Sequence, residues 1–461
     1  MLRTLRPADA LTDDDVQHGL RRLLADGIAS QILTSLTTGA FLVAFALALG
    51  ASNKVIGLLA AIGPLAQMLQ IPAIVLVERT RARKAVAVVA LVASRLLWFP
   101  IAAVPFLVAP EYALTFLVVA LLAFYGLGAV ATCAFSSWIR DLVPDEVMGR
   151  YFSKRTALAV LVGAVLSLGA GWGVDAWSAY AGEARAIQAY SVLFVVAAGA
   201  GLVGTWFLAR TPEPRMAPAE RTSLLKALAM PFRDRPFRSV LYFLGSWHFA
   251  VTFVTPFFTV YLLERLGLPL VWVIVLAVAS QLVHVVFLRV WGRLADRFTN
   301  KSVLDASGPM FLLSVLAWPF LTLPETHFLT WPLLVAIHIL GGMASAGVNL
   351  SAGNLALKAA PKGRATAYLA TNALVSGLAA TVAPILGGVA ADLLANQELS
   401  LTLRWARLAE PLREFNLPAF HLRGLDFLFV IGFVLGLYAL HRLLAVKEEG
   451  EVEERVVLTS F

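Results

Sequence analysis

Polar side chains recur at helical spacing inside several long apolar runs of this chain. In the first run, the stripe consists of Gln31, Thr34, Ser35 and Thr38. Positions three, four and seven residues apart share one face of a helix, so these four groups point in one direction. Amide and hydroxyl groups arranged in this way suit hydrogen bonding to a small solute. They also have structural alternatives, because Thr and Ser bond back to their own helix and Gln ties helices together.

Imidazole groups join the stripes in the later runs. The further aligned sets are Gln67 with Gln70; His248 with Thr252, Thr255 and Thr259; Gln281 with His284; His338 with Gly342, Ser345 and Asn349; and Asn372 with Ser376. Trp247, beside His248, offers an aromatic face on which a solute can stack, or it packs in the core. These residues are the candidate lining of a solute cavity.

Few charged residues lie deep inside the apolar runs. Arg95 is the one we expect there, either holding an anionic solute group or paired structurally. Because we place no Asp or Glu at mid-membrane, we predict that a histidine carries any coupled proton, since its unperturbed pKa is about 6.5. His248 is the first candidate, followed by His284 and His338, and then by Asp175 at a helix end.

Constellations typical of enzymes do not occur in the sequence. There is no Gly-rich phosphate loop of the Walker type and no metal-binding spacing such as His-Glu-x-x-His, and Cys133 is the single cysteine. We therefore predict no cofactor, no bound metal and no enzymatic activity. A membrane-embedded enzyme or a non-transporting sensor remains the alternative of another class.

The elements that position these residues are membrane helices. Hydrophobic residues make up 59% of the chain, charged residues 14%, and the mean hydropathy is +0.79. A spanning helix needs about 20 apolar residues, and continuous runs of that length are not barrel strands. The predicted spans 1 to 12 are 24–50, 54–77, 85–108, 112–139, 155–177, 190–209, 239–263, 269–290, 303–323, 328–357, 366–394 and 425–444.

The basic residues alternate between the two sides of these spans. Of the 37 Lys and Arg residues, 29 fall on the side that holds the N-terminus and seven on the other. Cytoplasmic loops carry such an excess, so both termini are predicted to be cytoplasmic, in a bacterial inner membrane. The net charge of +8 is then explained by cytoplasmic loops that face anionic lipid, and it does not indicate binding to nucleic acid.

The spans fall into two weakly similar halves. After span 4 the chain reads Pro144-Asp145-Glu146-Val147-Met148-Gly149-Arg150, and after span 10 it reads Pro361-Lys362-Gly363-Arg364. Each is followed by a helix ending in glycines and an acid, Asp175 or Asp392. Six-helix repeats indicate a transporter. The predicted segments are an N-terminal segment 1–23, bundles 24–209 and 239–444, a linker 210–238 with an amphipathic stretch on the inner leaflet, an outer loop 396–424 (a disordered loop or a helical cap), and a tail 445–461.

One loop carries a specific motif. Between spans 8 and 9 the chain reads Gly292-Arg293-Leu294-Ala295-Asp296-Arg297-Phe298-Thr299-Asn300-Lys301. It resembles the cytoplasmic loop of the major facilitator superfamily, Gly-x-x-x-Asp-Arg-x-Gly-Arg-Lys. Between spans 2 and 3 the chain reads Glu78-Arg79-Thr80-Arg81-Ala82-Arg83-Lys84, which lacks the first glycine, has Glu for Asp and is one residue out of step.

The resemblance implies an all-α membrane protein with twelve transmembrane helices in two pseudo-symmetric six-helix bundles. It implies a secondary active or facilitative transporter of a small solute, monomeric, with H⁺ as an optional coupling ion and spans 1, 4, 7 and 10 around the cavity. A hydrophobic drug or lipid exporter of the same fold is the alternative. It further implies a cytoplasmic gate composed of Glu78, Arg79, Arg150, Gly292, Asp296, Arg297 and Arg364.

Overall fold

A computed structural model describes residues 11–216, 224–322, 325–361, 365–407 and 413–448. Helices dominate, because each apolar run satisfies its own backbone hydrogen bonds only as a helix. In the first half of the chain they are α1 (Asp13–Thr37), α2 (Ala40–Ala48), α3 (Asn53–Gln67), α4 (Gln70–Thr80), α5 (Arg83–Leu96), α6 (Trp98–Leu107), α7 (Pro110–Leu142), α8 (Asp145–Ala181) and α9 (Glu183–Ala209).

The second half continues the pattern after a short linker helix. Its helices are α10 (Leu224–Arg233), α11 (Arg235–Val260), α12 (Leu270–Arg297), α13 (Asn300–Leu316), α14 (Thr330–Ala359), α15 (Ala365–Leu394) and α16 (Leu425–Leu443). A π-helical turn, Tyr261–Arg265, extends α11, and a 3₁₀ turn, Trp318–Leu321, follows α13.

Eleven helical segments of the described chain are long and apolar enough to cross a membrane. The one predicted span outside this set is span 9, 303–323, which corresponds to α13 with its 3₁₀ turn; α13 alone has 17 residues. Spans 1, 2 and 3 are each broken into two helices. The break in span 1 occurs at Gly39, whose φ of +59° is a conformation that glycine adopts without strain.

Tertiary contacts divide the described chain into two compact units. The first comprises residues up to 51, residues 58–216 and residues 267–274, and the second comprises residues 52–57, residues 224–266 and residues from 275 onward. The first turns of α3 and α12 therefore belong by contact to a different unit from the rest of those helices.

Each unit has an aromatic core. In the first, the ring centroids of Trp98 and Phe194 lie 4.9 Å apart, and Phe45 meets Phe194 edge-on at 5.0 Å. In the second, Phe258 stacks on Trp318 at 4.5 Å, and Tyr261 meets the same indole at 5.6 Å. Aromatic pairs in these geometries add to the stabilisation from apolar burial.

The outer loop, expected to be disordered or helical, is an antiparallel hairpin, so that prediction is wrong. Its strands are β1 (Glu398–Arg407) and β2 (Arg413–Arg423), with a register shift between Leu401 and Thr402. Leu399, Leu401 and Leu403 alternate with polar residues along β1. That two-residue period is the signal of a strand, and it is present in the sequence.

The linker helix packs against protein. The carbonyl of Leu228 in α10 accepts a hydrogen bond from the Thr371 hydroxyl of α15 at 3.1 Å. Asp234, the N-cap of α11, accepts one from the Tyr368 hydroxyl at 3.0 Å. The linker helix is thus held on α15 within the second unit, where the sequence suggests a surface helix on the inner leaflet. The side chain of Lys226 and residue Ser223 lie outside the described part of this stretch.

Candidate functional site

The first unit contains a buried charge cluster that the sequence prediction missed. Asp26 in α1 is 3% exposed, and its two carboxylate oxygens lie 3.7 Å from Arg95 and 3.8 Å from Arg155. From the sequence we expect no carboxylate at mid-membrane, and the structure shows Asp26 buried among helices of the first unit. Asp26 lies two residues inside the start of predicted span 1, where an acid suits a helix end, but α1 already begins at Asp13, so Asp26 lies in the interior of this helix. The apolar neighbours Leu23, Leu24 and Ile28 are the sequence signal that could have indicated a buried position for Asp26.

Arg95 is held entirely by protein groups. Its guanidinium donates to the Ser30 hydroxyl at 2.6 Å, to the carbonyl of Gly201 and to the hydroxyl of Thr205. With Asp26 alongside, these partners occupy the donors of a side chain that is only 3% exposed. These contacts favour the structural pairing of Arg95 over a contact with solute, the two roles that the sequence left open.

Arg155 of α8 is the more accessible arginine of the cluster, with 21% of its side chain exposed. Its guanidinium lies directly on Gly27, where a Cβ atom would collide with it, and donates to the carbonyl of Leu23 at 3.3 Å. The glycine therefore allows an arginine of α8 to lie against the backbone of α1. The carboxylate of Asp26 and the carbonyl of Leu23 are therefore the polar partners of Arg155 on α1.

The polar stripe of span 1 lies beside this cluster. Gln31 donates to the hydroxyl of Ser35 at 3.0 Å, and both side chains lie against Gly163 of α8. Thr34 and Thr38 bond back to carbonyls four residues earlier, at 3.0 and 2.8 Å. The stripe is real, but much of its hydrogen-bonding capacity is used within the first unit.

The histidines of the second unit differ in their partners. A ring nitrogen of His284 lies 2.9 Å from the Ser345 hydroxyl, and one of His338 lies 2.8 Å from the carbonyl of Leu334. His248 has no side-chain hydrogen bond to the described residues; its carbonyl accepts one from Thr252 at 2.7 Å. Thr255, one turn further along α11, is half-buried.

The other candidate lining residues fall into distinct environments. Trp247 is 4% exposed and packs against Phe243 and Phe311, which favours the core packing that the sequence left open beside a contact with solute. Gln281 and Asn349 are exposed.

Helix α15 and span 2 hold the remaining candidates. In α15, the Oδ1 atom of Asn372 and the hydroxyl of Ser376 are buried without a hydrogen-bond partner among the described residues. Gln67 and Gln70 hydrogen-bond each other across the break in span 2.

The loop after α4 is built around Arg83, which is 1% exposed. Its guanidinium bonds Asp141, lies 3.5 Å from the carboxylate of Glu213, and donates to the carbonyl of Pro214 at 2.8 Å. Burial raises the pKa of Glu213, although the backbone N–H groups of Lys84 and Arg83 hydrogen-bond the carboxylate and oppose that rise. Glu213 follows α9, so the end of one bundle holds this loop.

The loop after α12 has a corresponding acid. Glu448 follows α16 and accepts hydrogen bonds from the backbone N–H of Lys301 at 2.9 Å and from the amide of Asn300 at 3.1 Å. It also lies 3.3 Å from Lys358. Asn300 and Lys301 occupy the motif positions that Arg83 and Lys84 occupy in the first half. In each half, a glutamate that follows the last helix contacts these residues.

The predicted gate residues are mostly free of contacts. Glu78, Arg79, Arg150 and Asp296 are exposed, and none has an ion pair within the described chain. Arg297 lies over the ring of Phe298, 5.1 Å from its centroid, and Gly292 is half-buried. Arg364 lies outside the described residues. The gate role of this set stays a prediction.

At the opposite ends of the helices, the two acids of the sequence repeat cap helix N-termini. Asp175 of α8 accepts from the backbone N–H groups of Leu270 and Val271 at 3.1 and 2.8 Å. Asp392 of α15 accepts from those of Asn53 and Lys54, both at 3.0 Å. A carboxylate at a helix N-terminus satisfies free N–H groups and complements the helix dipole. The repeat thus places matching caps at the first turns of α12 and α3.

These helices define a polytopic membrane protein. The sequence matches the family model of the Major Facilitator Superfamily over residues 27–384, and the chain belongs to that superfamily. The predicted family, the helical membrane fold and the class of small-solute transporter are confirmed. No curated protein matches the chain in sequence.

Solved structures of transporters share the fold at low identity. The nucleoside transporter NupG, in a mutant form, is 14% identical with a TM-score of 0.69, covering 93% of this chain and 100% of its own. A D-xylose-proton symporter is 14% identical with a TM-score of 0.63, over 95% and 98%. An inward-facing bacterial homologue of the human lysosomal transporter Spinster is 14% identical with a TM-score of 0.61, over 97% and 99%.

Proposed function

We propose that this protein accumulates a small polar solute by alternating access, coupled to protons at the cluster of Asp26, Arg95 and Arg155. The observation that carries the proposal is a carboxylate inside a membrane bundle, 3% exposed and flanked by two arginines. Ionisable groups at such positions are costly and mark ion or substrate pathways. The xylose transporter of the same fold is named a proton symporter, which fits this coupling.

Protonation of Asp26 changes the contact between α1 and α8. The ionised carboxylate attracts Arg155, whose guanidinium lies against the backbone of α1 at Leu23 and Gly27. A neutral carboxyl removes that attraction and leaves the two arginines with uncompensated charge. A proton on Asp26 therefore favours a state in which Arg155 has moved away from α1. The proton acts here as a ligand, and a ligand shifts a conformational equilibrium only when its affinity differs between the two states.

Solute contacts are proposed for the polar groups that lack protein partners. Asn372 and Ser376 lie one turn apart on α15 with unpartnered buried oxygens, and His248 has no side-chain hydrogen bond in the described chain. Buried polar atoms without partners are few in native proteins, and each calls for an explanation. The solute is then expected to offer hydroxyl or amine donors. A monomer in the bacterial inner membrane, with both termini cytoplasmic and no enzymatic activity, completes the proposal.

The test is solute uptake into proteoliposomes with and without an inward proton gradient. A screen of nucleosides, sugars, amino acids, peptides, organic anions and cationic drugs identifies the solute. Asp26→Asn should abolish gradient-driven accumulation while leaving solute exchange at equilibrium. Asp14→Asn on the exposed part of the same helix is the matched control. If Asp26→Asn accumulates normally and a His248, His284 or His338→Gln variant does not, the coupling site is a histidine.

A further inference from the structure

A cationic cavity lies at the ends of three helices of the second unit, next to the Glu448 contacts described above and apart from the proposed coupling and solute sites. It has a volume of about 620 Å³ and is lined by the first turn of α11, the last turn of α14 and the segment after α16. Its charged residues are Arg235, Lys358, Lys447 and Glu448. Three positive groups and one negative group thus meet at one opening.

The single acid of this cavity is already occupied. Glu448 accepts hydrogen bonds from Lys301 N–H at 2.9 Å and from Asn300 at 3.1 Å, and its carboxylate lies 3.3 Å from Lys358. The side chains of Arg235 and Lys447 are exposed and make no hydrogen bond or ion pair within the part of the chain described. The cavity therefore keeps a net positive charge that no described protein group neutralises.

The floor of the same cavity is apolar. Val240, Leu355 and Val446 line it and belong to a buried core cluster. An anion with a hydrocarbon portion fits both parts, because its charge meets the cations while its chain covers the floor. Basic pockets between membrane helices at the cytoplasmic surface bind anionic lipid head groups in this way.

We infer that this cavity binds the phosphate head group of an anionic phospholipid. The bilayer supplies that chemistry at the ends of the membrane helices, where the cavity opens. In the proposed topology the lipid belongs to the inner leaflet; the binding itself does not depend on the solute or on proton coupling. The lipid bridges α11, α14 and the segment after α16, and so it stabilises the segment that carries Glu448.

The test uses full-length protein in phosphatidylcholine nanodiscs or detergent, with phosphatidylglycerol added and binding counted by native mass spectrometry. The variant is Arg235→Gln/Lys447→Gln. The matched control is Arg289→Gln/Arg293→Gln, which removes two exposed cations of the same unit that do not line the cavity. Since each basic group near an anionic surface contributes about fivefold in affinity, the variant should bind phosphatidylglycerol at least about tenfold more weakly than wild type.

The control should stay within about twofold of wild type, and phosphatidylcholine should not distinguish the three proteins. Equal loss in the variant and the control would mean nonspecific charge attraction and would overturn the proposal. If inorganic phosphate binds the wild type as tightly as phosphatidylglycerol does, the ligand of the cavity is a soluble anion and the lipid proposal is wrong.

The chain itself offers a competitor. Residues 449–461 contain four glutamates directly after Glu448. A protein ending at Glu448 should keep its affinity for phosphatidylglycerol within about twofold. A rise of about tenfold or more on truncation would identify the acidic tail as the occupant of the cavity, and the lipid proposal would be wrong.

Discussion

The loops after α4 and α12 occupy equivalent places in the two halves, yet they are stabilised in different ways. Where the family motif has its second glycine, the first loop has Arg81, whose φ of 49° lies in the left-handed region. The second loop has Thr299 there, with φ of −152°, as the N-cap of α13. The first loop depends on a buried arginine, and the second on a helix cap. Two versions of one motif therefore support two local structures, and substitution can separate them.

The largest expected effect is that of Arg83→Gln in the first loop. It removes the group that pairs Asp141 and leaves Glu213 without its cationic partner. Breaking a buried ion pair costs about 3–5 kcal/mol. The measurement is chemical or thermal unfolding of the purified protein in detergent. Arg79→Gln, an exposed charge of the same loop, is the control, and an equal loss in both would contradict the structural role of Arg83.

The corresponding change in the second loop should cost less. Glu448→Ala removes the acceptor for Lys301 N–H and the partner of Lys358, but the side chain of Glu448 is 13% exposed and water can replace part of the contact. A loss of about 1–2 kcal/mol is expected from one charged hydrogen-bond acceptor. Lys447→Gln, the adjacent residue, should leave unfolding unchanged. A loss as large as that of Arg83→Gln would show that the two loops are equivalent after all.

Substitutions at the shared glycine position should have opposite signs. Arg81→Gly removes the strain of a left-handed conformation in the folded state, but it also increases the conformational entropy of the unfolded chain. The net effect should be a stabilisation of about 0.5 kcal/mol. Thr299→Ala removes the hydroxyl that accepts from the Ser302 N–H at 3.0 Å. The loss of this helix cap should cost about 1 kcal/mol. Unfolding midpoints of the two variants, measured side by side, should move in opposite directions.

The smallest effect is a pH dependence of Glu213→Gln. Because burial raises the pKa of Glu213, the folded protein holds this proton to higher pH than the unfolded chain does. Its contribution to stability is full below the unfolded pKa, about 4.3, and declines as pH rises through the folded pKa. The advantage of wild type over Glu213→Gln should therefore shrink as the pH rises from about 4 towards neutrality. A difference that is constant or grows over that range would refute this assignment.

Much of the architecture is readable from the sequence because it depends on composition and period. Apolar runs predict helices at nearly every span, and the repeated acids Asp175 and Asp392 are visible in the sequence, although their capping role is not. The hairpin is missed although Leu399, Leu401 and Leu403 alternate with polar residues. Asp26 is missed because it lies only two residues inside the predicted start of span 1, where an acid suits a helix end, whereas α1 begins at Asp13.

The sequence by itself determined that this is a helical membrane protein. Hydrophobic residues make up 59% of the chain, and runs of this length must lie in a bilayer as helices. The loop motif likewise determined the family. Only the tertiary structure decided which polar side chains hydrogen-bond to other protein groups and which have no such partner among the described residues. Arg95 and Trp247 looked like cavity residues, but one is enclosed by Asp26, Ser30 and Thr205 and the other by aromatic rings. Periodicity shows which face of a helix a side chain occupies, whereas its partners come from helices far away in the chain.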